Sequence, residues 1–174
     1  MEPWRQMRKS LRHGKQNSSE VYMGADILLR ITLTFPDTAK AKTFLQTELN
    51  EAPKKLRAPF DDELPGRPVV EVFEEWGNMG ALDLQAGGKR WNLAGLFGKD
   101  AFNDLAPELA SLLHHAGLEG AKGEALAVGI EFEDGFRLTL EDGLKIKRLT
   151  KAEAVSIQQE PRFRKAVLAL MEQE

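Results

Sequence analysis

From Ala25 to Phe35 apolar and mixed positions alternate. Ile27, Leu29, Ile31, Leu33 and Phe35 form one set, and Leu28, Arg30, Thr32 and Thr34 the other. A period of two predicts a strand with one face buried. Pro36-Asp37-Thr38 breaks it and supplies an N-cap for a helix over Thr38 to Ala52, with Ala41, Phe44, Leu45, Leu49 and Ala52 on its apolar side. Pro53 ends that helix, and the stretch to Pro68 reads as a long loop.

Val69 to Trp76 reads as a second alternation, with Val70, Val72 and Trp76 on one side and Glu71 and Glu75 on the other. Gly77-Asn78-Met79-Gly80 then predicts a reversal into Ala81 to Ala86, which makes a hairpin. Gly87-Gly88 marks a second turn, after which Trp91, Leu93, Leu96 and Phe97 carry no clean period and read as strand or irregular. Pro107 suits the first turn of a helix whose Leu109, Leu112, Leu113 and Ala116 fall at helical spacing, with Gly117 just beyond its end.

Leu126, Val128, Ile130 and Phe132 alternate with smaller or acidic residues, and Asp134-Gly135 and Asp142-Gly143 turn the chain twice. Such turns predict a three-stranded antiparallel meander. Thr150 and Glu153 have the spacing of a capping box, and Pro161 restarts a helix carrying Phe163, Ala166, Val167, Leu170 and Met171. The expected fold is therefore α+β, a mainly antiparallel sheet (hairpin plus three-stranded meander) packed with about four helices.

Composition sets the bounds. The 174 residues, 42% hydrophobic and 29% charged, exclude disorder throughout and suit one domain. Charge divides the chain unevenly. Residues 1–24 hold Arg5, Arg8, Lys9, Arg12 and Lys15 against Glu2 and Glu20, and read as a mobile basic tail. Residues 25–174 form the single α+β domain. Net charge is −3, from 24 basic and 27 acidic residues, so no broad basic footprint for nucleic acid exists outside that tail. With no cysteine the core is an ordinary one, in keeping with a reducing cytoplasm. No apolar run approaches the roughly 20 residues of a membrane span, so no membrane partner is expected.

Candidate chemistry is sparse. His114 and His115 are adjacent, about 100° apart on a helix, and cannot grip one metal as an i, i+4 pair can. They suit a last helical turn, where the dipole favours them. Asp61-Asp62-Glu63 reads as a solvated loop. Gly87-Gly88-Lys89-Arg90 lacks the phosphate-loop pattern, because Asp83 stands where its first glycine belongs and Trp91 follows Arg90. No serine sits in a nucleophile elbow. Neither a metal nor a cofactor is therefore expected. The aromatic residues are interleaved with acids and read as core.

What stands out is an acidic trend on the outer faces of the expected strands: Glu71, Glu75, Glu131 and Glu133, with Glu141 and Asp142 at the second Asp-Gly turn. A contiguous negative surface of that kind steers and pairs a basic protein partner. The expectation is a non-catalytic protein-binding module, such as an inhibitor or immunity protein whose acidic face covers the basic cleft of a toxin. The alternative is a small enzyme or ligand-binding protein. There the 53–68 loop would cover a pocket lined by Trp76, Trp91 and nearby acids, with Asp61, Asp62 or His115 in proton transfer.

Overall fold

A computed structural model describes residues 27–50, 66–130 and 133–173. In chain order the elements are β1 (Ile27–Thr34), α1 (Thr38–Leu45), β2 (Glu48–Leu49), β3 (Arg67–Pro68), α2 (Val69–Met79), β4 (Ala81–Gln85), β5 (Arg90–Phe97), α3 (Lys99–Leu118), β6 (Lys122–Gly129), β7 (Gly135–Leu140), β8 (Leu144–Arg148), α4 (Lys151–Gln158) and α5 (Pro161–Met171). Six strands form one antiparallel sheet in the order β4-β5-β1-β6-β7-β8, and β2 pairs with β3 in a two-stranded ribbon. The α+β class follows. Five helices are described rather than about four, and the strands join into one continuous sheet.

The alternation in β1 sorts its side chains to two sides. Ile27, Leu29, Ile31 and Leu33 enter the larger core, where α1, α2 and α3 contribute Phe44, Trp76, Leu105, Leu109 and Leu112. Each such side chain, fully buried, contributes roughly 1.5–3 kcal/mol. The other face is covered at one end only. There Leu28, Ala81, Leu96 and Val128 pack under Ala154 and Ile157 of α4 and Phe163, Val167 and Leu170 of α5.

Several expected boundaries move, each for a physical reason. Val69–Met79 is a helix, not a strand. Val69, Val72, Phe73 and Trp76 at i, i+3, i+4 and i+7 are all buried, while Val70 is exposed. The competing helical period thus gathers one more large apolar side chain than the alternating one. Gly77 to Met79 accordingly end a helix, and the hairpin lies between β4 and β5 around Gly87-Gly88. α1 has Asp37 as its N-cap, its carboxylate accepting from Lys40 N–H at 2.8 Å. It stops at Leu45 rather than Ala52, because Leu49 belongs to β2.

α3 begins at Lys99, so Pro107 lies in its interior and not in its first turn. Phe102, Leu105 and Ala106 bury the preceding turns, and that packing outweighs the hydrogen bond that proline removes. Its end comes after Leu118, and Gly120, not Gly117, takes the left-handed conformation, with φ +85°. At the β7–β8 turn Asp142 and Gly143 both have positive φ, as a two-residue hairpin of primed type requires. The Thr150–Glu153 capping box opens α4. The expected tail, most of the 53–68 loop, Glu131 and Phe132 lie outside the described residues.

Candidate protein-docking face

The acids expected to share a sheet face occupy three separate places. Glu71 and Glu75 are one turn apart on α2, which packs against the covered side of the sheet. Glu75 is ion-paired with Arg67. Glu133 lies in the β6–β7 connection, 3.1 Å from Lys151 Nζ. Glu141 and Asp142 are exposed at the β7–β8 turn. Glu131 lies outside the described residues. The described members of the set do not gather into one acidic sheet surface, because two of the expected strand positions are helical.

The open half of the sheet has the opposite sign. Cross-strand register places Asp83, Ala94, Arg30, Leu126, Arg137 and Lys147 in one row, and Gln85, Asn92, Thr32, Glu124, Thr139 and Lys145 in the next. Arg90, Thr34 and Lys122 follow in a third. Within the strands these rows hold six basic residues (Arg30, Arg90, Lys122, Arg137, Lys145, Lys147) and two acidic ones (Asp83, Glu124). Glu124 is paired with Arg137 at 3.1 Å, and Lys147 lies 3.4 Å from Glu153 at the start of α4. None of the residues in these rows is aromatic.

Buried polar groups serve a different purpose. Glu108 of α3 is 6% exposed and accepts from Trp76 Nε1 at 3.3 Å and from the Arg67 guanidinium. One turn on, Ser111 Oγ donates to the Asn50 carbonyl, and a further turn on His115 Nε2 accepts from Asn50 N–H at 3.2 Å. This polar stripe of α3 therefore holds Asn50 and Arg67, the residues that follow β2 and begin β3. Asp134 accepts from Arg148 and from Gly135 N–H, closing the β6–β7 connection.

Both neighbouring histidines titrate below their ordinary value. Burial disfavours their charged forms, and the charge of His114 adds to this at His115. That lowering works against the dipole-stabilised imidazolium expected from the sequence. Trp76 and Trp91 are core residues, 0% and 3% exposed, and Trp91 packs within 5.1–6.0 Å of Phe35, Phe44 and Phe73. Neither lines any of the concavities seen among the described residues, and most of the 53–68 loop expected to cover such a pocket lies outside those residues.

Concavities among the described residues lie elsewhere. A cleft of about 500 Å³ between the end of α3 and the β7–β8 turn is lined by His114, Leu118, Lys122, Glu141 and Asp142. A groove of about 610 Å³ along α4 and α5 is walled by Val155, Phe163, Leu168 and Met171. A cavity of about 210 Å³ lies on the open sheet face where α5 overhangs it. Sequence reasoning passed over the last of these. Its signal was Arg30, a charged residue inside the most apolar strand.

Among the described residues no group of three or more His, Asp or Glu is placed to hold a metal ion, and no helix is long and apolar enough to cross a membrane. Comparison with known proteins finds no matching family model, no matching curated protein and no matching solved structure.

Proposed function

We propose that this chain is a non-catalytic protein-binding module that docks an acidic partner surface on the open half of its sheet. The observation that carries the reading is the charge of that half, six basic residues against two acidic ones, on strands that the two C-terminal helices only partly cover. Such a surface steers an acidic partner and fixes its orientation. Rows without aromatic rings offer single-stranded nucleic acid no stacking platform, which favours a protein. The buried Glu108, Ser111 and Asp134 and the half-buried His115 hold backbone segments and other side chains in place, a supporting rather than a reactive use of polar groups. The sign of the partner is thereby reversed from the basic one expected from the sequence. A cytoplasmic location and an inhibitor-like mode of action belong to this same reading.

The test is cross-linking in extract of the native host with wild-type chain and two charge-reversed variants. One carries Arg137→Glu, Lys145→Glu and Lys147→Glu; the other carries Glu71→Lys and Glu141→Lys. A stoichiometric partner lost only with the first variant supports the proposal. A partner lost only with the second restores the acidic-surface reading in its place.

A further inference from the structure

We infer that the cavity under α5 is a socket for a single carboxylate, the anchor by which an acidic side chain of the partner is held. The inference rests on the docking reading above and adds to it a site and a chemistry. Ala94 of β5 forms the floor between Arg30 of β1 and Asp83 of β4, and Ala166 of α5 forms part of the wall. Two small side chains create the hollow. Arg30, Asp83, Gln85 and Asn92 all face it, and within the described residues none of the four makes a side-chain hydrogen bond or ion pair. Arg162, at the rim, spends its Nε on Glu160 at 2.7 Å.

Elsewhere on the same face Arg137 is paired with Glu124 and Lys147 with Glu153, while Arg90, Lys122 and Lys145 are exposed to solvent. Arg30 differs from these. It is half-buried on a central strand, and its fork of donors has no side-chain acceptor among the described residues. A planar guanidinium in that state is suited to bidentate binding of a carboxylate, with the amides of Asn92 and Gln85 as additional donors. Glu160 already pairs Arg162, so Arg30 is the lining cation left to meet an incoming anion, with Asp83 beside it. A phosphate dianion would meet the Asp83 carboxylate with excess charge, so a carboxylate is preferred. Arginines seated in pockets are also where interface energy concentrates.

The experiment titrates the full chain with a short blocked peptide of alternating Glu and Gly at low salt, following the Arg30 Nε–H resonance by NMR. Saturable shifts are expected, with affinity reduced at least tenfold in Arg30→Met and in Ala94→Leu, whose side chain fills the hollow. In Arg30→Lys, which keeps charge but loses the fork, the loss should be intermediate. Amide spectra of each variant confirm the fold. If Arg30→Met binds as well as wild type while Lys145→Gln with Lys147→Gln binds weakly, the socket is overturned and the docking face stands. Should the peptide fail to bind wild type at all, both fall. Inorganic phosphate binding Arg30 as tightly as the peptide overturns the preference for a carboxylate.

Discussion

On one side of the sheet, Ile27, Leu29, Ile31 and Leu33 meet three helices and vanish from solvent; on the other, Leu28 alone is well covered, and Arg30, Thr32 and Thr34 look outward. Both sets come from the same eight residues. The comparison separates two tasks within one strand, since odd positions supply cohesion and even positions are free to carry charge. Stability and recognition are thus assigned to opposite sides of a single backbone, and changes on one side should leave the other largely unaffected.

The covered side is where the largest losses should occur. Trp76→Ala removes a fully buried side chain and should lower unfolding free energy by about 3–5 kcal/mol, read from urea titration. Next comes Glu108→Ala, which leaves Trp76 Nε1 and part of the Arg67 guanidinium without their acceptor. A loss of about 2 kcal/mol is expected by the same measurement, and Glu108→Gln, which retains one acceptor oxygen, should cost less. If Glu108→Ala instead leaves stability unchanged, the α3 stripe is not what holds the β2–β3 ribbon.

On the half-covered side the effects shrink. Thr150→Ala removes the α4 cap and should cost about 1 kcal/mol, with hydrogen exchange accelerating in α4 before α3. Glutamine at Lys145 and Lys147 should change stability by no more than about 0.5 kcal/mol while altering association. A larger loss there would show that the open face is needed for cohesion and would break the contrast.

Acidity probes the comparison through α3. His114 and His115 are held below the ordinary histidine value of about 6.5 by burial. The unfolded chain therefore binds more protons in that window, so stability is at its full value above about pH 6.5 and declines as pH falls through the lowered folded values. Replacing both with glutamine should flatten the slope below about pH 6.5, with urea midpoints as the measure. Glu153, held low chiefly by its backbone and side-chain hydrogen bonds to Thr150, loses its contribution only as pH drops from about 4.5 and below, which keeps the two effects apart.

Local chemistry was the legible part of the fold. The alternation of β1, the Asp37 and Thr150 caps and the Asp142-Gly143 turn are set within a few residues, and a reader of the sequence meets them directly. Long-range effects were not. At Val69–Met79 two periods compete, and only the presence of a core beneath Phe73 and Trp76 decides for the helix. At Pro107 intrinsic preference placed a helix start where the burial of Phe102 and Leu105 overrides it. The site suffered most from the first of these errors. Once Glu71 and Glu75 move onto a helix, the expected acidic sheet face loses two of its members, whereas Arg30 acquires meaning only when register sets Ala94 and Asp83 beside it.

The central place of β1 also bears on how the chain reaches this form. Its two neighbours are residues 90–97 and 122–129, so each edge stays open until about 60 or about 90 further residues have been made. Non-local pairing of this kind slows folding and leaves a hydrogen-bonding edge open to other chains in the meantime. The arginine and threonines interspersed along that strand then act before any docking does, keeping a nascent segment from being a uniformly greasy template for aggregation.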